Sequence, residues 1–201
     1  MSLNSLFKGW NGEMKIRLAN KLFLGSRYRA FNHVTIGSGR LPTQIDHVLV
    51  SRYGVFCIET EDKTGWIYGD KVRDEWTQLI YRQRSYFPNP LIQNYHRAHS
   101  LAETLSIDIS KIHPLIVFWG KCEFRTLMPP EVVKGDLLAE KLRTVISAKT
   151  EEVLQPEEVA RICSILTRVK KRGGILSRWK HSREIRQRYR GKIIYLKGDR
   201  S

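Results

Sequence analysis

The stretch Gln44-Ile-Asp-His-Val-Leu-Val-Ser-Arg-Tyr-Gly-Val-Phe-Cys-Ile-Glu-Thr-Glu-Asp-Lys-Thr-Gly-Trp-Ile-Tyr-Gly69 decides the fold. Gln44–Val50 and Gly54–Thr60 are rich in β-branched and aromatic residues, which suit a pleated surface. Ser51-Arg52-Tyr53-Gly54 between them reads as a tight turn. Both segments are apolar on two faces, so they are expected at the centre of a sheet that is covered on both sides. Gly65–Gly69 reads as the returning strand of a meander.

A hairpin centred on Arg52–Tyr53 sets Asp46 opposite Glu59 and Gln44 opposite Glu61. Opposed residues share a face, and so do Glu59 and Glu61, two positions apart. Three carboxylates therefore converge at one end of the hairpin, provided that the register does not slip by one. Carboxylates that crowd together on apolar strands need a compensating cation or a proton. An oxygen-only donor set suits Mg²⁺ or Mn²⁺, which polarise phosphoryl oxygens and activate water. The competing reading puts Asp46 at a solvated strand end and Glu61-Asp62 at the start of a polar loop. His47 points to the opposite side of its strand from Asp46 and reads as structural or as a support behind the site.

Outward from the hairpin, Asn11–Leu24 reads as an amphipathic helix. Met14, Leu18 and Leu22 form its stripe, Asn11 its cap and Glu13 a first-turn carboxylate. A first strand is expected near 31–37. Residues 74–86 are expected to begin a helix, interrupted near Pro88-Asn89-Pro90. A second helix follows at Leu91–Leu105, with its apolar positions at 91, 92, 95, 98, 101, 102 and 105. Ile112–Trp119 is the most hydrophobic strand, and Pro114 places its hydrogen-bonded part at 115–119. A short strand is expected within Cys122–Leu127, and helices at 136–147 and 157–171. The order helix, three strands, helix, strand predicts an α/β sandwich with a mixed sheet. The first three strands lie too close together for the crossover helices of a doubly wound sheet. No phosphate-cradling glycine motif is present.

The chain has 201 residues and a formal net charge of +15. From Arg168 to Ser201 there are 13 Lys and Arg against 2 acidic residues. The expected division is therefore a body at 1–167 and a basic C-terminal extension at 168–201. Such density favours anionic partners, with nucleic acid ahead of an assembly surface or an anionic membrane. Cys57, Cys122 and Cys163 form no CxxC pair, and Cys57, inside a strand, reads as a buried structural thiol. With no apolar run long enough to span a bilayer and no signal-peptide pattern, a cytoplasmic protein is expected. His96 and His99 share a helical face at spacing three, more in keeping with packing than with a metal pair. Trp66 and Tyr68 alternate on their strand, where they either stack on exposed bases or pack within the sheet.

The segment 44–69 resembles the core of the nuclease-related domain family. Gly12-Glu13, Trp76-Thr-Gln78 and Phe87-Pro-Asn-Pro-Leu-Ile-Gln93 are similar to its further motifs, in the same order, and the likeness covers roughly residues 10–125. The family is similar to the restriction-endonuclease-like, PD-(D/E)xK, superfamily. That resemblance implies an αβββαβ core and metal-dependent cleavage of phosphodiesters, with DNA as the expected substrate and RNA as the alternative. It implies that Asp46 and Glu59 are metal ligands and that Glu13 reaches the metal or its water. Gln78 and Gln93 become candidates for touching substrate or bracing the site.

One position departs from the pattern. Where the family has E-x-K, this sequence reads Glu59-Thr60-Glu61. Glu61 cannot supply positive charge, but it can act as a further metal ligand, as in the E-x-E of some restriction endonucleases. Lys63 offers a replacement cation, since a strand rise near 3.3 Å puts its Cα about 7 Å beyond position 61. The third option is lost catalysis with retained binding. The function expected from the sequence is Mg²⁺- or Mn²⁺-dependent hydrolysis of DNA. Its alternatives are a degenerate nucleic-acid-binding module and a protein-interaction or assembly module.

Overall fold

The computed structural model describes residues 28–37, 42–148 and 152–172. The helix expected at 11–24, with Glu13, lies outside the described residues, as does the extension beyond Arg172.

Two sheets form the frame. The strands of the larger are β1 (Arg29–Ile36), β2 (Thr43–Ser51), β3 (Gly54–Asp62), β7 (Ile112–Trp119) and β9 (Val132–Lys134). They lie side by side in the order β1-β2-β3-β7-β9. The first three run antiparallel, while β7 joins β3 and β9 joins β7 in parallel. The sheet is thus mixed, as expected. The apolar content of β2 and β3 has the predicted cause. On one face Val48, Val50, Val55 and Cys57 pack against Ala98, Leu101 and Leu105 of α1 (Pro90–Leu105). Ile162 and Leu166 of α3 (Pro156–Arg172) join the same cluster. On the other face Leu49, Phe56 and Ile58 pack with Leu115, Val117, and Leu138 and Leu142 of α2 (Leu138–Ala148). The helix α3 continues past residue 168, so the basic composition begins inside it.

The second sheet corrects two expectations. Residues 74–86 are not helical. They form the hairpin of β5 (Glu75–Ile80) and β6 (Gln83–Pro88), paired from Glu75↔Pro88 to Ile80↔Gln83. Trp76, Leu79 and Ile80 imitate a helical stripe, and no Gly, Asn or Pro marks the turn. Tyr81 instead takes the left-handed backbone conformation at φ 54°, which non-glycine residues seldom adopt. Nor does β4 (Gly65–Tyr68) return alongside β3 as a meander. It pairs with β5 and with β8 (Cys122–Phe124), because β7 already occupies the free edge of β3. The order of this sheet is β6-β5-β4-β8. A third correction concerns Pro114. Pairing of β7 with β3 starts at Ile112, two residues before the proline. Proline is tolerated because β9 pairs only with Ile116–Phe118, so β7 has one neighbour at position 114.

Two glycines set the connections around the site. Gly54 closes the β2–β3 turn at φ 124°, where a Cβ would lie 2.7 Å from the His113 ring and 2.8 Å from a backbone oxygen. Gly65, at φ 77°, lets the chain leave β3 for the second sheet; a Cβ there would meet the Leu79 carbonyl oxygen at 2.4 Å. No helix among the described residues is long and apolar enough to cross a membrane.

Candidate carboxylate centre

The hairpin register matches the sequence expectation, with His47↔Ile58 and Val48↔Cys57. One step further, at Asp46 and Glu59, side chains take over from the ladder. The Asp46 backbone N–H donates to Glu59 Oε1 at 3.3 Å. The Thr60 backbone N–H and hydroxyl both donate to Asp46 Oδ2, at 3.0 and 2.6 Å. The hairpin is therefore pinned open at this end by the two acids themselves, which are brought together as anticipated.

A cation that the sequence alone did not reveal pairs with Glu59. Arg97, on α1, lies with its Nη1 2.5 Å from Glu59 Oε2, and both side chains are largely buried. A charge-assisted pair of this kind offsets part of the cost of removing the carboxylate from water. A signal for Arg97 was present. It stands four residues after Gln93 and four before Leu101, on the stripe of α1 that meets the sheet. That stripe is rotated from the expected one: Tyr95 is exposed, and the buried polar residue is Asn94. Asn94 Nδ2 donates to the carbonyls of Cys57 and Leu115, both at 3.1 Å, and its Oδ1 accepts from Cys57 Sγ. It thus fixes β3, β7 and α1 in one register immediately behind Glu59. Burial pushes the Cys57 thiol well above its ordinary range, in keeping with a structural role.

Electrostatics gives the centre its character. Burial, followed by the negative charge of Asp46, pushes the Glu59 carboxyl up to about 8 despite the opposing pull of Arg97. Glu61 is also raised, by burial first, while Lys63 pulls it down. Lys63 does reach back along the chain: its Nζ lies 3.7 Å from Glu61 Oε2 and 4.2 Å from the Phe87 ring centroid. Among the described residues three carboxylates thus face two cations, which leaves one negative charge uncompensated when all are ionised. Glu61 turns toward Lys63 instead of completing a ligand trio. Among the described residues no three His, Cys, Asp or Glu are arranged to hold a metal ion.

The other candidates fall into place around this centre. Gln78 lies on a strand, not a helix, and its Nε2 donates to the Thr64 carbonyl at 2.7 Å. It braces the link from β3 to β4. Gln93 is half-buried one turn before Arg97. His47 is buried and bonds to Asn32 at 2.7 Å. His96 is exposed, while His99 packs against the Tyr95 ring at 4.4 Å. Trp66 and Tyr68 lie on the outer side of the second sheet, with Ile67 buried between them.

The family model of the nuclease-related domain matches residues 8–119. An uncharacterized protein of Bacillus anthracis is 31% identical over 163 residues, covering 81% of this chain and 76% of the relative. A crystal structure of a protein of unknown function, AF1548, overlaps 80% of this chain and 97% of its own, at 12% identity and a TM-score of 0.35. A TM-score that low carries no argument about the fold.

Proposed function

Because the chain belongs to the nuclease-related domain family, we propose that it hydrolyses phosphodiester bonds of DNA at the Asp46–Glu59 centre, with Mg²⁺ or Mn²⁺ as cofactor. The observation that carries this reading is the contact of the two acids at the opened end of the β2–β3 hairpin. The donor set fits such an ion in part. Asp46 and Glu59 supply adjacent hard oxygen ligands, and a cation bound between them would favour the ionised form of Glu59. Glu61, on release from Lys63, would be a third ligand, and Glu13 a fourth. The bound ion would supply Lewis-acid polarisation of the phosphoryl oxygen and a water of lowered pKa.

The chain's own groups do the rest. Asp46 and Glu59 accept hydrogen bonds and orient water on the sheet side of the phosphate. Arg97 presents a fixed positive charge from α1 and takes over the electrostatic task of the lysine replaced by Glu61. Lys63 adds a second cation beyond position 61. Asn94 and Gln78 keep the strand and its exit loop from shifting, so the charges are preorganised.

The test is cleavage of single- and double-stranded DNA and of RNA, by protein free of contaminating nuclease, with each metal. Asp46→Asn and Glu59→Gln are each expected to bring cleavage to background, and Glu61→Ala to reduce it. If the wild-type protein cleaves none of these substrates with either metal, the proposal fails. One observation favours a second reading, a degenerate nucleic-acid-binding module: Arg97 and Lys63 already neutralise Glu59 and Glu61. That reading predicts salt-dependent binding without turnover by the wild type, and metal-dependent cleavage gained on Glu61→Lys.

A further inference from the structure

We propose that the outer face of the second sheet is a stacking platform for single-stranded nucleic acid, distinct from the carboxylate centre. From the nuclease reading it takes only the class of ligand. Strand pairing sets Trp66, Leu79 and Arg84 side by side across β4, β5 and β6, and Tyr68, Thr77 and Tyr86 in the next row. Directly opposed residues share a face. The other face of this sheet holds Ile67, Trp76, Phe87 and Cys122, packed on Ile116 and Phe118 of β7. The two rows therefore point away from the core.

A sheet with one covered face ordinarily carries polar residues on the other. This one departs from that rule at its aromatics: Trp66 is 40% and Tyr86 44% exposed, and Tyr81 at the hairpin tip is 96% exposed. Arginines are interleaved with them. Arg125 stacks on Trp66, its Cζ 4.0 Å from the ring centroid. Arg84 is exposed at the far end of the Trp66 row, and Arg82 is exposed beside Tyr81. Among the described residues the acidic ones on this face are Glu75 at its end and Glu123, 3.8 Å from Arg125.

Aromatic rings and guanidinium planes spaced across a sheet match the chemistry of an unpaired polynucleotide. Bases stack on the rings and on the guanidinium held over Trp66, while phosphates pair with Arg84 and Arg125. Trp66 and Tyr68 are about 7 Å apart along β4, so the two rows offer successive stacking positions. A duplex conceals its base faces and cannot use them. The platform is tied to the centre through the short Lys63–Thr64 link, which Gln78 braces.

The test is fluorescence anisotropy of the full chain with labelled oligothymidylate, oligouridylate and a duplex, in EDTA so that cleavage plays no part. The wild-type protein is expected to bind both single strands more tightly than the duplex. Trp66→Ala/Tyr86→Ala should weaken single-strand binding about tenfold or more and leave duplex binding unchanged. Trp66→Phe/Tyr86→Phe should restore most of the affinity. Arg84→Gln/Arg125→Gln should lower the slope of log affinity against log salt by about 1–2. The proposal is overturned if the alanine pair binds single strands like the wild type, or loses single-strand and duplex binding alike. It is also overturned if that pair changes the oligomeric state while nucleic-acid binding stays intact, because the face then serves a protein contact. Metal-dependent cleavage without single-strand preference in EDTA would remove the platform alone. Preference without cleavage would remove the nuclease reading alone.

Discussion

Replacing Glu59 with glutamine keeps the size of the side chain and an acceptor for Arg97 while removing its titration. In the folded chain burial and Asp46 hold the Glu59 carboxyl at about 8, against an ordinary 4.5. Folding therefore takes up a proton between these values. The stability so contributed is fully present below pH 4.5 and is lost as pH rises through about 8. Each pH step of one between those two values is worth about 1.4 kcal/mol, so the loss amounts to roughly 3–5 kcal/mol. Urea unfolding followed by circular dichroism from pH 5 to pH 9 reads it directly. Glu59→Gln should match the wild type near pH 5 and exceed its stability by roughly that 3–5 kcal/mol near pH 9. Added Mg²⁺ should stabilise the wild type at the alkaline end and leave the variant unaffected. A difference between the two proteins that stays flat across the pH range would refute the buried, Asp46-opposed carboxylate on which the expectation depends.

Other perturbations probe the same neighbourhood. Arg97→Gln leaves Glu59 beside Asp46 without its cation and should cost roughly 3–5 kcal/mol at pH 9; combined with Glu59→Gln it should cost less than alone, and additive denaturation energies would contradict the pairing. Asn94→Ala strips donors from two buried carbonyls and opens a cavity, so a loss of about 3 kcal/mol is expected. In a thermal melt that appears as a drop of roughly 6–12 °C. Truncation after Arg172 removes nine Lys and Arg. It should flatten the salt dependence of duplex binding, while metal-dependent cleavage by the remaining body persists at low salt.

Much of the large sheet was legible because it rests on local rules. The period of two, the turn at 51–54 and the doubly apolar strands were enough to predict the contact of Asp46 with Glu59, which the structure displays. The hairpin at 75–88 was not legible. Its apolar spacing fits a helix as well as a strand, and only pairing with β4 and burial of Trp76 and Phe87 choose between them. Asn94 escaped for a related reason: a polar residue on an apolar helix face reads as a flaw until the carbonyls that it satisfies are in view.

By itself, then, the sequence determined where the acids stand, that they share a strand face, and that position 61 carries a carboxylate in place of a lysine. Side-chain alternation and turn chemistry act over a few residues and need no distant partner. Only the tertiary structure decided which charges answer them. Arg97 lies 38 residues beyond Glu59 and meets it because α1 packs across β3. The Lys63–Glu61 contact, by contrast, spans two residues and was within reach of the strand rise alone. Arg97 is matched to Glu59 by packing between elements, and no spacing along the chain encodes that pairing.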